Sequence, residues 1–179
     1  AINLPYGLRQ NKVMLMRLQS GCKVQISTVI LAGGLGTRLG RVEKALQLYQ
    51  GRALLAHMLE AIQQQSQASD VIYLNVNRQF ADYQAYNLPL LPDDNRLGIE
   101  GPLAGVLTAL HTCKSDYLWC VPCDCIAFPL TMLADMLSLA LHTQADIVRA
   151  SFHGQAIPTL ALYHVAPCRE QMQRIPPNH

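Results

Sequence analysis

Residues 28–44 bring a glycine turn, Thr37 and the cations Arg38 and Lys44 close together, a composition suited to holding a polyphosphate. The apolar run Val29, Ile30, Leu31, Ala32 breaks into Gly33, Gly34, Leu35, Gly36. Backbone there can take positive φ and approach a ligand closely. Thr37, Arg38 and Lys44 then add donors and positive charge. Strand, glycine turn and basic cluster together bind phosphate through main-chain N–H groups and fixed cations. The pattern is neither a Walker A loop nor the dinucleotide fingerprint, because no Gly-Lys-Ser/Thr closes it and position 38 is Arg.

Carboxylates supply the complementary half of such a site. A divalent ion that bridges phosphate oxygens is held by one or two carboxylates. Asp124 follows the apolar segment 116–121 and is the first choice for that ligand, with helix capping as the competing role. Asn75, where residues 71–77 turn polar, is a candidate nucleotide contact. Asp93 and Asp94 stand in a Pro-Asp-Asp sequence that serves equally as a turn or as a contact to nucleotide or metal. His57, His111, His142, His153 and His164 have no spacing that suggests a metal site or a triad. Cys120, Cys123 and Cys125 lack the second pair that a zinc site wants, and read as buried or half-buried free thiols.

The elements that must position these residues follow from periodicity. Strands are expected at 29–32, 71–77, 88–91, 116–121, 146–150 and 156–163, the last at a sheet edge because of Pro158. Helices are expected at 51–63, 80–86, 101–110, with Pro102 at its first position, and 130–141. This alternation argues for α/β architecture: an open, mostly parallel sheet with helices on both faces. Ligands of such sheets sit beyond the carboxyl ends of the strands. The segments carrying Gly33–Lys44, Asn75/Asn77, Asp93/Asp94 and Asp124 all fall at such ends.

Bulk properties bound the answer. With 179 residues, half of them hydrophobic, one domain with a substantial core is expected. A net charge of +2 is too small to argue for nucleic acid. No apolar run approaches the ~20 residues of an integral membrane segment. Cysteine usage points to a reducing cytoplasm. Residues 1–25, where Lys12, Arg17 and Lys23 interleave with apolar residues, read as a flexible or accessory N-terminal extension preceding a domain at 26–179.

The segment 31–44 resembles the nucleotidyltransferase signature LAGGxGTRLG…K. Four further segments are similar to the molybdenum cofactor guanylyltransferases: GPLAG at 101–105, PCD at 122–124, IPTLAL at 157–162, and Asn75-Val-Asn-Arg78. This resemblance covers roughly residues 26–165 and implies a three-layer Rossmann-like nucleotidyltransferase fold. It implies transfer of GMP from GTP to molybdenum-bearing molybdopterin, with Mg²⁺, giving the guanine dinucleotide cofactor and pyrophosphate. It implies that Leu31, Ala32, Gly33 and Gly34 line the nucleotide and that Lys44 meets its phosphates beside Arg38. By the same resemblance Asn75 and Asp94 contact the nucleotide, and Asp124 binds Mg²⁺. The distance to Gly101 favours Asp94, whereas spacing from Asn75 favours Asp93. Cofactor-delivery and molybdoenzyme chaperone proteins are the implied partners.

Three departures stand out. Leu35-Gly36-Thr37 is closer to the sugar-phosphate nucleotidyltransferases, Glu43 stands where Asp is usual, and an Asn-Thr-Pro-type segment does not precede the ending at His179. The alternatives are transfer to a sugar 1-phosphate, cytidylyl transfer to molybdopterin, and a non-catalytic nucleotide-binding protein.

Overall fold

The computed structural model describes residues 23–33, 35–36 and 42–174. The expected N-terminal extension falls almost wholly outside them, as do Gly34, Thr37 and Arg38. Among the described residues, ten strands and five α-helices run in the order β1 (Ile26–Leu31), β2 (Leu35–Gly36), β3 (Val42–Glu43), β4 (Leu48–Tyr49), β5 (Arg52–Ala53), α1 (Leu54–Gln63), β6 (Val71–Asn75), α2 (Phe80–Gln84), β7 (Leu90–Leu91), α3 (Pro102–Thr112), β8 (Tyr117–Pro122), α4 (Met132–Thr143), β9 (Ile147–Phe152), β10 (Gln155–His164) and α5 (Val165–Met172).

Six strands form the central sheet in the order β7-β6-β1-β8-β10-β9. β7, β6, β1 and β8 pair in parallel, while β10 is antiparallel to both β8 and β9. Every residue of β1 is buried, as expected of a central parallel strand covered on both faces. Side chains alternate across it. Ile26 and Ile30 join Tyr117, Trp119 and Val121 of β8 in a core closed by Leu55, Met58 and Ile62 of α1 and Leu133, Met136 and Ala140 of α4. Val29 and Leu31 join Leu118 and Cys120 in a second core, under Val106, Leu107 and Leu110 of α3 and Val165 and Cys168 of α5. The result is the expected three-layer α/β sandwich.

One expectation is corrected and one element is unforeseen. Residues 156–163 do not lie at an edge: β10 is internal and β9 takes the edge. The register of β10 against β9 jumps between Ile157 and Ala161, and its pairing with β8 begins only at Ala161. Pro158 therefore sits in a bulge, where its missing N–H costs no ladder bond. The unforeseen element is α5, which periodicity did not reveal. Its Pro167 is tolerated in the first turn, and Val165 and Cys168, with the partly buried Met172, anchor it in the core. From it Arg169 donates to the main-chain oxygens of Leu110, at 2.5 Å, and Cys113, satisfying carbonyls at the end of α3.

His164, where β10 passes into α5, is buried and stacks on Tyr117 with ring centroids 4.9 Å apart. Burial holds its pKa below the ordinary histidine value, against the opposing pull of Asp146 and Asp116. The unfolded chain therefore takes up this proton before the folded one, so stability falls as pH drops through about 6.5 toward the lowered value. Urea midpoints measured from pH 7.5 to pH 5 should decline, and His164→Phe, which keeps a stacked ring, should decline less.

Candidate active site

The register of the parallel strands aligns the site. Leu31 of β1 pairs with Asn75 of β6 and with Pro122 of β8, and Asn75 pairs with Leu91 of β7. Leu91, Asn75, Leu31 and Pro122 therefore form one row across four strands at their carboxyl ends. Two residues beyond each stand Asp93, Asn77, Gly33 and Asp124. All four line a cavity of about 320 Å³, together with Leu31, Lys44, Asn75, Gly101, Pro102, Pro122, Cys123 and Thr159. Strand order reverses about β1, whose two neighbours lead to opposite edges, and the cavity lies at that switch point. Main-chain bonds carry the alignment past the ladder: Ala32 N–H donates to Asn75 O at 2.9 Å, and Cys123 N–H to Leu31 O at 3.2 Å.

On one side of the cavity stand two amides and a carboxylate. Asn75 Nδ2 donates to Leu91 O at 2.9 Å and to Asp93 Oδ1 at 2.8 Å. Asn77 Nδ2 donates to Asp93 Oδ2 at 2.7 Å, and its Oδ1 accepts from the Asp93 N–H at 2.8 Å. Asp93 is thus locked by two side chains from β6 and its exit. Two glycines make room for this cluster. A Cβ on Gly33 would lie 2.8 Å from Asn77 Nδ2, and one on Gly105 only 2.3 Å from Asn75 Oδ1. Gly105 lets α3 cross directly over Asn75 while the start of the helix, Gly101 and Pro102, opens on the cavity. The helix macrodipole places its positive end there. Gly105→Ala is expected to push Asn75 aside, costing roughly 1–3 kcal/mol of overpacking, partly offset by the ~1 kcal/mol gain of Ala over Gly in a helix. A lowered urea midpoint together with weakened nucleotide binding would show it.

On the other side stand the charged groups. β3 pairs antiparallel with β2, so the chain after the glycine turn doubles back and delivers Lys44 to the cavity. Lys44 Nζ forms an ion pair with Asp124 Oδ2, and both side chains are nearly half exposed. The hydrogen bond to Asp124 holds the Lys44 pKa above its ordinary value, so the ammonium stays charged across the neutral range. Cys123 beside them is buried, which pushes its thiol up to about 11 and leaves it protonated. Among the described residues no group of three or more His, Cys, Asp or Glu is placed to hold a metal ion. Among the described residues the cavity carries two carboxylates: Asp93, whose oxygens already accept from Asn75 and Asn77, and Asp124, nearly half exposed beside Lys44. The Asp124 carboxylate fits a hard divalent cation that takes its remaining ligands from phosphate oxygens and water.

Of the residues singled out from sequence, Leu31, Gly33, Lys44, Asn75 and Asp124 meet at this cavity. Ala32 is buried between the strands and contributes its main-chain N–H. Gly34 and Arg38 lie outside the described residues. Asp94 is elsewhere: its N–H donates to Thr108 Oγ1 at 2.9 Å, and its carboxylate takes a two-pronged contact from Arg96 at 2.8 and 2.7 Å. That guanidinium holds the Asp94 carboxyl down at about 2. Asp94, Arg96 and Thr108 line a separate hollow. Asp93, not Asp94, therefore faces Asn75 and the cavity. Thr159, brought in by the β10 bulge, was not singled out from sequence; only its place in the IPTLAL segment marked it.

A doubly wound sheet with a glycine turn, a lysine–aspartate pair and a helix start at its switch point is suited to holding a nucleoside triphosphate. The chain belongs to the MobA-like NTP transferase family, whose domain model matches residues 28–179. It is 37% identical over 139 residues to a molybdenum cofactor guanylyltransferase of Mannheimia succiniciproducens, covering 78% of this chain and 71% of that one. Several solved structures share the fold, among them those of two proteins. Rv0371c of Mycobacterium tuberculosis H37Rv superposes with a TM-score of 0.66 at 17% identity, covering 86% of this chain and 77% of that one. Its complex with manganese gives 0.63 at 15% identity, covering 85% and 77%. Molybdopterin-guanine dinucleotide biosynthesis protein A of Archaeoglobus fulgidus gives 0.64 at 18% identity, covering 83% and 71%. Among the described residues no helix is long and apolar enough to cross a membrane.

Proposed function

We propose that this protein transfers GMP from GTP to molybdenum-bearing molybdopterin, releasing pyrophosphate and forming the guanine dinucleotide cofactor. The observation that carries the reading is the row of strand ends. Four parallel strands deliver Asp93, Asn77, Gly33 and Asp124 to one cavity, where Lys44 joins Asp124, in a chain resembling proteins named for this reaction. The acceptor's phosphate oxygen attacks the α-phosphorus of GTP in line and pyrophosphate leaves from the opposite side. Lys44 balances charge on the phosphates, and the main chain at Gly33 lets them approach closely. Asn75, with Asp93 held beside it, faces the guanosine. Asp124 would hold Mg²⁺, which when bound draws charge from the phosphate oxygens and the leaving group. A single carboxylate with oxygen donors suits Mg²⁺, and the manganese complex of a protein of the same fold supports a divalent ion here. In this reading the protein works in the cytoplasm and passes its product to cofactor-delivery and molybdoenzyme chaperone proteins.

The decisive experiment is a calorimetric titration with GTP, CTP, ATP and UTP in the presence of Mg²⁺. GTP is expected to bind at least about tenfold more tightly than the others, a difference of ~1.4 kcal/mol. Equal affinities would overturn the guanylyl assignment. A CTP preference would move the reaction to cytidylyl transfer.

A further inference from the structure

Glu43 is a charged residue in a basic segment, yet its side chain is only 2% exposed. Both carboxylate oxygens are taken. Oε1 accepts from Arg78 Nε at 2.5 Å, and Oε2 from the Tyr83 hydroxyl at 3.1 Å. Tyr83, in the last turn of α2, is fully buried, and burial followed by the Glu43 charge raises its pKa, so it remains a donor. Arg78 Nη2 is buried without a hydrogen-bond partner among the described residues. Glu43 is buried while the Arg78 side chain is 38% exposed; desolvation of the carboxylate offsets much of the attraction, so such a pair is a poor means of stabilising a fold.

Position is what distinguishes this pair. Glu43 immediately precedes Lys44, the cavity's cation. Arg78 immediately follows Asn77, whose amide locks Asp93 and packs against Gly33. The pair thus ties the strand that delivers the cation to the exit of β6, which carries the polar wall. Across the cavity, Lys44 reaches Asp124.

We propose that Glu43 and Arg78 are positioning residues, a half-buried clamp that sets Lys44 against the reacting phosphates; the proposal rests on the guanylyl-transfer reading for its consequence in catalysis. The clamp acts through Lys44 and touches no substrate. Because Lys44 works on the group being transferred, loosening the clamp lowers kcat more than it raises KM. Glu43→Gln keeps the shape and removes the charge. Arg78→Gln alone leaves a buried carboxylate unpaired and is the variant most exposed to misfolding. The double variant Glu43→Gln/Arg78→Gln is neutral and can still hydrogen-bond, so it separates folding from positioning.

The test measures steady-state pyrophosphate release at varied GTP, together with amide hydrogen exchange over residues 42–47 and, as an internal reference, 102–112. Glu43→Gln and the double variant are expected to lose roughly ten- to hundredfold in kcat, with KM for GTP changed less than about threefold. Exchange over 42–47 is expected to rise while 102–112 stays as in the wild type. Unchanged exchange over 42–47 in the double variant overturns the clamp, as does raised exchange with kcat unaltered. The exchange readout needs no substrate. If the wild type binds no GTP, the guanylyl-transfer reading fails, and exchange over 42–47 still decides whether the pair holds this segment.

Discussion

Asp124→Asn is expected to lower Mg²⁺-dependent turnover by roughly 10²–10³, the usual loss when one preorganised charge contact at a reacting group is removed. Its melting temperature should move by no more than about 1–2 °C. The side chain is nearly half exposed, and its ion pair is with an equally exposed lysine, so little stability is at stake. Asn keeps an oxygen at the same place and loses the charge. The variant therefore reports on metal charge balance and not on shape. A second measurement separates this from simple loss of the Lys44 pair. With Mg²⁺ removed by chelation, the Asp124 carboxylate faces the triphosphate as a like charge. Asp124→Asn should then bind GTP more tightly than the wild type, and with Mg²⁺ present more weakly. Turnover that persists unchanged across a Mg²⁺ titration would overturn the role given to Asp124.

This reversal follows from what Lys44 and Asp124 do in the free protein. They neutralise one another across the mouth of the cavity, so neither charge is stranded before substrate arrives. A triphosphate with a divalent ion offers each a better partner, the ammonium taking phosphate oxygen and the carboxylate taking metal. The site exchanges one ion pair for two without a buried charge left unpaired.

Much of this was legible in the chain. Apolar runs of four to six residues ending in Gly33, Asn75 or Asp124 mark parallel strands and their carboxyl ends at once, because a buried strand turns polar only where it leaves the sheet. What spacing cannot supply is register. Asp93 and Asp94 are adjacent, and successive side chains on an extended segment point to opposite sides. Only the pairing of Leu91 with Asn75 decides that the residue two beyond Leu91 meets the cavity and its neighbour meets Arg96. Pro158 misled for a related reason. Proline argues against an internal strand only where its N–H is owed to a ladder, and a bulge removes that debt. Glu43 was invisible as a buried group because its partners, Arg78 and Tyr83, lie 35 and 40 positions away.

Lys44→Ala is the second large effect expected. Its pKa is held above the ordinary lysine value, so the wild-type ammonium is charged at every pH below that value and contributes fully across the neutral range. Removing it takes away the described cation at the cavity and leaves Asp124 unpaired beside the incoming phosphates, so kcat/KM should fall by roughly 10²–10³. The loss should be confined to the phosphates. Calorimetric titration with guanosine, which carries no phosphate, should give nearly the wild-type affinity, because Asn75 and Asp93 on the opposite wall are held by Asn77 and Leu91 and not by Lys44. GTP binding should weaken far more. Lys44→Arg should recover only part of the rate: the guanidinium keeps the charge but is planar and forked where the ammonium is a compact point charge. Equal losses for guanosine and GTP would place Lys44 at the base or ribose and remove it from the phosphates. Full recovery with arginine would mean that charge alone, without the reach set by the Glu43 segment, is what the transferring group requires.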